Sequence, residues 1–315
     1  MRLALACLLL AACGGGDDAI TITFAKPAMG EAFVRDQLGP TGAVSAMIPV
    51  EVSLEGTPTR VTLAVGDRVF PDLVDDAALL DLRTTGTVTL TATAYDGEMV
   101  ASTATVDIEI GDLSLTSCRE FLDAFHIDYT AGPTSPGVVD PVTAKMPING
   151  VPYKVVGGTN PRTTMFADCR IIKSLVLAAP SFRERGIAQV TDYGIYNYRC
   201  IGSVGTPPNC PNGISQHAFA MAIDLAGFTL TDGAFYSVND DWVIDPDAQE
   251  TCEAPTVEGK DRFLHELICE LKAAGIWNIV LTPNYNADHR NHFHVDLTPM
   301  SDFIERRTSP PVYGD

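Results

Sequence analysis

The chain lacks any cluster of lysine and arginine, and its 21 basic residues face 40 acidic ones, a formal net charge of −19. So acidic a surface repels phosphate backbones, which excludes nucleic acid as a partner. It equally disfavours direct docking on anionic lipid, and it keeps an exported chain soluble. No apolar run reaches the roughly 20 residues needed to span a bilayer as a helix. No C-x-x-C pair occurs, which argues against a zinc ion held by cysteines. Residues 20–110 contain neither histidine nor cysteine, so no metal or thiol chemistry is assigned there. What remains is globular composition, 46% hydrophobic and 19% charged, over 315 residues. That length suggests two domains, each able to bury a core.

The N-terminus carries Arg2, an apolar stretch from Leu3 to Ala12, and Leu10-Ala11-Ala12-Cys13. A basic start, a short apolar run and small residues before a cleavage point describe an export signal. Leu-Ala-Ala-Cys resembles a bacterial lipobox, which implies diacylglycerol on Cys13 and makes residues 1–12 the signal peptide. The alternative is an ordinary secretory signal with an incidental cysteine. Residues 13–19, with Gly14-Gly15-Gly16-Asp17-Asp18, read as a flexible tether. The expected location is the cell envelope, on the periplasmic side of the outer membrane in a Gram-negative host. The membrane is then touched only through the lipid.

Six further cysteines follow: Cys118, Cys169, Cys200, Cys210, Cys252 and Cys269. An even set in an exported chain reads as disulfides, and six cysteines permit fifteen pairings. Sequence does not choose among them; local pairing (118 with 169, 200 with 210, 252 with 269) is the working expectation. Their restriction to the second part marks a boundary between Gly111 and Thr116.

Residues 20–112 alternate. Ile20, Ile22 and Phe24 share one strand face, as do Ile48, Val50, Val52 and Leu54, then Val61, Leu63 and Val65. Val88 to Ala94 and Ala104 to Ile110 repeat the pattern, with Tyr95-Asp96-Gly97 as a turn. Period-two alternation means sheets with one buried face, and several short strands without a helix suggest a β-sandwich. Residues 87–110 resemble the last two strands of bacterial immunoglobulin-like modules, and with no chemistry assigned there a spacer or adhesion role is the default expectation. Residues 117–302 are mixed and read as α+β. A helix is expected from Phe166 to Ala179, stopped by Pro180, and another from Asp261 to Ala274. Strands are expected at Trp277–Leu281 and Phe293–Leu297, and residues 303–315 as a tail.

Chemistry concentrates in two clusters. The first is Ser215-Gln216-His217-Ala218-Phe219-Ala220-Met221-Ala222-Ile223-Asp224. The second is Asp288-His289-Arg290-Asn291-His292-Phe293-His294-Val295-Asp296. In a strand, His292, His294 and Asp296 share a face, while Phe293 and Val295 anchor the other. Catalytic zinc takes three nitrogen or oxygen ligands and keeps one position open. His217, Asp224 and one downstream histidine supply that set; geometry alone also allows His292 and His294 to bind together.

Ser-x-His-x6-Asp followed by His-x-His resembles the zinc peptidases that include D-Ala-D-Ala carboxypeptidases and lysostaphin-type enzymes. His289-x-x-His292-x-His294 is similar to the penicillin-insensitive murein endopeptidases. Tyr198-Arg199-Cys200, Ser215 to Phe228 and Asn284 to Leu297 resemble the bacterial extensin-like C-terminal domain. The resemblance covers roughly residues 117–300. It implies a hedgehog/DD-peptidase-like zinc domain, with zinc on His217, Asp224 and His294. It makes His292 a partner in proton transfer or oxyanion stabilisation and His289 a supporting neighbour. Arg199 would hold a substrate carboxylate or carbonyl, and Ser215 would position its loop. The implied substrate is a peptide-stem or cross-bridge amide of peptidoglycan. Two departures stand out. Ala220 replaces a glycine common in relatives. No Glu precedes the last histidines as in the dipeptidase branch, which leaves Asp288 or His292 to carry the proton.

Overall fold

A computed structural model describes residues 19–245 and 251–304. The signal peptide, most of the tether with Cys13, and the tail beyond Ile304 lie outside the described residues. The structure is mostly β-sheet with few helices, and it divides into two units. No helix among the described residues is long and apolar enough to cross a membrane.

The first nine strands are β1 (Thr21–Lys26), β2 (Ala32–Arg35), β3 (Gln37–Leu38), β4 (Val44–Glu55), β5 (Arg60–Val65), β6 (Arg68–Val69), β7 (Ala77–Leu82), β8 (Gly86–Asp96) and β9 (Met99–Asp112). One sheet runs β1-β4-β3 with β7 on β4; the other runs β2-β9-β8-β5-β6. The inward-facing residues that the alternation singled out, Ile22, Ile48, Val50, Leu63, Leu90 and Ile108, form one buried cluster shared by the two sheets. Asp36–Ser45, inside the span read as sandwich, belongs instead to the second unit. The reason is local packing. Leu38 and Val44 pack on the second core, and Asn149 Nδ2 donates to Gly42 O at 2.7 Å.

The second unit adds α1 (Cys118–Ala124), β10 (Tyr129–Ala131), β11 (Pro141–Lys145), β12 (Tyr153–Val155), β13 (Thr164–Asp168), α2 (Cys169–Glu184), β14 (Ile187–Asp192), β15 (Ala222–Leu230), β16 (Phe235–Ser237), α3 (Val238–Asp241), α4 (Lys260–Ala273), β17 (Ile279–Leu281), β18 (Phe293–Asp296) and β19 (Phe303–Ile304). Its main sheet has the order β12-β14-β15-β18-β17-β19, with β16 on β15. Phe303 and Ile304, read from sequence as tail, pair in parallel with β17 and so close the sheet. Ile171, Leu175 and Phe182 of α2 and Leu264, Leu267 and Leu271 of α4 share one apolar core with Val190, Ile223, Phe293 and Val295 of the sheet.

The helix expected to stop at Pro180 continues to Glu184. Proline removes the hydrogen bond to the carbonyl four residues back, that of Val176. Asn149 Nδ2 supplies the missing donor to Val176 O at 2.9 Å, so the helix survives its proline. At the other end, Phe166–Asp168 is strand rather than helix, and Asp168 caps α2 by accepting from Arg170 N. Three disulfides, Cys118–Cys169, Cys200–Cys210 and Cys252–Cys269, bear out the expected local pairing. The first ties α1 to the start of α2, and the last fastens the 251–253 turn to α4.

Candidate metal centre

The site is built on the antiparallel pair β15–β18, whose register sets Asp224 opposite His294 and Ile223 opposite Val295. Alternation then does the sorting. Ile223, Phe293 and Val295 are fully buried in the core, and Asp224 and His294 point to the other face. His217 arrives from a 3₁₀ turn, Gln216–Phe219. Ser215 caps that turn, its Oγ accepting from His217 N at 3.3 Å. The turn ends at Ala220 in the left-handed conformation, φ 51°. A glycine adopts that angle without penalty, whereas an alanine is held there at a cost of about 1–2 kcal/mol. Ala220 N donates to His217 O, so the unusual angle closes the turn that aims His217.

Three donor atoms converge. His217 Nε2 lies 3.1 Å from Asp224 Oδ1 and 3.2 Å from His294 Nδ1. His294 Nδ1 lies 2.9 Å from the same carboxylate oxygen. Their outward partners set the ring orientations. His217 Nδ1 donates to the carbonyl of Ile195 at 2.8 Å, which aims Nε2 at the Asp224 carboxylate. His294 Nε2 donates to Asp296 Oδ2 at 3.0 Å, which turns Nδ1 inward. Such outward hydrogen bonds orient imidazoles at metal sites. A tetrahedral ion bound at about 2.0–2.1 Å separates its ligand atoms by about 3.3 Å. The three observed edges fit that requirement, and His217, Asp224 and His294 form a group able to hold a metal ion.

Electrostatics point the same way. Burial alone would raise the Asp224 pKa, but hydrogen bonds from His217 and His294 outweigh it and hold the carboxylate well below its ordinary value. Burial would lower that of His294, yet Asp224 and Asp296 on its two ring nitrogens raise it to about 9. The two shifts describe one buried ion pair, an ionised Asp224 against a protonated His294.

His292 sits beside the triad, with Nε2 3.4 Å from Asp224 Oδ1. Its Nδ1 faces Asn291 Oδ1 at 2.7 Å, and its ring packs edge-on against Tyr193. Burial lowers its pKa against the pull of Asp224, so the ring is neutral at pH 7. His289 is held by Asn286 Oδ1 at 2.6 Å and packs on both His292 and His294. Burial, then its histidine neighbours, push its pKa down to about 3. Arg199 lines the cleft, and its carbonyl accepts from Ser215 N, which ties it to the His217 turn. The Cys200–Cys210 disulfide clamps the adjoining loop. Asp288 also lines the cleft but is exposed. The cleft itself has a volume of about 680 Å³ and is walled by Tyr285, Ile201 and Phe303 as well.

Sequence reasoning assigned no task to Asp296, Ile195, Asn286, Asn291 or Tyr193. Asp296 carried a signal, since it shares the strand face of His294. The Ile195 carbonyl and Tyr193 carried none, because they meet the site only through the β14–β15 bulge, where Tyr193 N donates to Asp224 O.

Comparison with known proteins adds one decisive finding. Residues 162–304 match the family described as extensin-like protein C-terminus. The extensin-like segment therefore contains every residue of the centre. No curated protein matches the chain. Among solved structures, the fibronectin(III)-like modules of CbhA from Clostridium thermocellum share 15% identity over 30% of this chain and 99% of that one, with a TM-score of 0.25. The endo-beta-1,4-mannanase of Thermotoga petrophila shares 13% identity over 30% of this chain and 20% of that one, with a TM-score of 0.23. The CARDB domain of PF1109 from Pyrococcus furiosus shares 14% identity over 30% of this chain and 94% of that one, TM-score 0.20.

Proposed function

We propose that the extensin-like unit is a mononuclear zinc hydrolase of peptidoglycan peptide bonds, carried in the cell envelope by a lipid on Cys13. One observation carries the reading: two imidazole nitrogens, each oriented by a partner behind it, and a carboxylate oxygen meet within 3.2 Å at the edge of a cleft. His217, Asp224 and His294 would hold the ion. A zinc ion, when bound, supplies Lewis acidity that acidifies a water and polarises a carbonyl. The chain's own residues supply the rest. Neutral His292, its Nδ1 engaged by Asn291, offers Nε2 as proton acceptor and later as donor to the leaving amine. His289, neutral and locked by Asn286, keeps the His292 and His294 rings in place. Arg199 presents a guanidinium at the cleft for a substrate carboxylate or carbonyl.

A second reading, a wall-binding or adhesion lipoprotein that keeps the metal without catalysis, draws on one feature. Asp288, the carboxylate nearest in sequence to the last histidines, is exposed. Purified zinc-loaded protein incubated with peptidoglycan separates the two. Hydrolysis predicts new amino termini and shortened muropeptides that vanish in His217→Ala. Binding to the wall without any released fragment, persisting after chelation and in His292→Ala, supports the second reading.

A further inference from the structure

Tyr193 divides two hollows. On one side lies a small cavity of about 180 Å³ lined by Asn197, Arg199, His217 and Asp224. On the other is a groove of about 280 Å³ that no step above uses. The groove lies on the face of the main sheet opposite α2 and α4, with Asn239 of α3 at its rim. Strand register builds its floor: Lys154 of β12 pairs with Thr191 of β14, and both side chains leave the sheet on the side away from buried Tyr153 and Val190. Ala226 of β15 and Phe235 of β16 continue the floor. Gly227 is required there, because a Cβ would stand 2.5 Å from the Phe235 ring. The rim nearest the metal centre is Tyr193 with Asn291, whose Nδ2 donates to the Tyr193 hydroxyl at 2.9 Å.

Two polar groups of this groove are unsatisfied. Thr191 is 5% exposed, and its Oγ1 is buried without a hydrogen-bond partner. A buried hydroxyl in that state costs about 1–3 kcal/mol unless something bonds it. Lys154 has no ion-pair partner among the described residues, although the chain carries 40 acidic residues against 21 basic ones. Most other cations are paired, as Arg162 is with Asp192, Arg185 with Glu270 and Lys260 with Asp241. Arg199, across Tyr193, is likewise without an ion-pair partner among the described residues. Two cations without an ion pair thus line the adjoining hollows on either side of Tyr193.

We propose that the Lys154–Thr191 groove is a carboxylate-binding subsite, so that an acidic peptide lies across the metal centre with one carboxylate at Arg199 and another at Lys154. This deepens the hydrolase reading and rests on it for the substrate. A site with an anchor on both flanks of the reacting bond favours cleavage inside a cross-linked polymer over trimming of a free end. Phe235 and Tyr193 supply apolar walls, and the Thr191 hydroxyl donates to the ligand oxygen.

The test uses binding to chelator-treated full-length protein, so it does not depend on turnover. A short oligo-glutamate peptide and a soluble muropeptide with free carboxylates are titrated, each beside its amidated counterpart. Wild type should bind both acidic ligands, with amide shifts at Lys154, Thr191 and Phe235, at Arg199, and at their neighbours. Lys154→Ala should weaken acidic-ligand binding about tenfold, as expected for one charge-assisted contact, and leave the amidated ligands unchanged. Thr191→Val, close in shape, keeps the fold and should weaken binding less. Oligo-glutamate binding that needs Lys154, with no muropeptide binding, would keep the subsite and sink the wall substrate. Equal binding by wild type and Lys154→Ala would overturn the proposal, as would Lys154-independent binding of an uncharged chitin oligosaccharide in the same groove.

Discussion

Zinc added to the metal-free protein at neutral pH should release about one proton, and His294 is its source. In the metal-free centre, burial opposes a charge on this ring, but Asp224 and Asp296 outweigh it and raise the pKa from 6.5 to about 9. A nitrogen must lose its proton before it can bind a metal. Each pH unit below about 9 therefore lowers apparent zinc affinity about tenfold. Competition against a chelator of known affinity, from about pH 6 to about pH 8, should show affinity rising about 100-fold. Calorimetry in two buffers of different ionisation enthalpy should count the same single proton. His289 adds none, because its pKa lies near 3 and its ring is already neutral. The stability of the metal-free fold carries the complementary sign. A pKa raised on folding stabilises fully below about pH 6.5, by about 3 kcal/mol, and that contribution is lost as pH rises through about 9. Asp224, lowered on folding, acts oppositely: its contribution is present at neutral pH and lost in acid. Asp296→Asn removes one of the two groups that raise His294 and should flatten the affinity profile. A pH-independent zinc affinity with no proton released refutes this account of the centre.

Arg199→Lys should leave zinc content unchanged and reduce peptidoglycan hydrolysis at least tenfold, because an ammonium cannot reproduce a two-pronged contact; intact turnover would remove Arg199 from substrate binding. The paired change Cys200→Ser and Cys210→Ser should cost about 2–3 kcal/mol of stability for so short a loop, and raise the substrate concentration needed for half-maximal rate more than it lowers the rate. Tyr153→Phe should be neutral or stabilising by about 1 kcal/mol, since its fully buried hydroxyl has no partner, and thermal unfolding reads the change. Ala220→Gly relieves the left-handed alanine but loosens the unfolded chain, so zinc content should hold and stability should move by less than about 1 kcal/mol.

Much of this arrangement is legible in the sequence, for local reasons. Alternation at Ile22, Ile48, Leu63, Leu90 and Ile108 identified inward faces because each strand carries its own pattern. His294 and Asp296 on a strand, with Phe293 and Val295 on its other face, identified the cleft face in the same way. Local cysteine pairing succeeded because all three pairs bridge neighbouring elements of one unit. The failures share a different cause. Pro180 sits inside α2 because Asn149, distant in the chain, satisfies Val176 O. Residues 36–45 join the second unit because Leu38 and Val44 find apolar partners there. Ile195, Tyr193 and Thr191 reach the site or its flank through sheet register, which no single segment encodes. The orienting of His217 depends on a backbone carbonyl, and side-chain identity says nothing about that.

The most direct measurement is zinc-edge X-ray absorption on protein purified without added metal, with metal content determined on the same sample. One zinc per chain, bound by two imidazole nitrogens and carboxylate or water oxygens at about 2.0–2.2 Å and lost in His217→Ala, is the expected result. Chains purified without zinc, or zinc surrounded by sulfur, would contradict it.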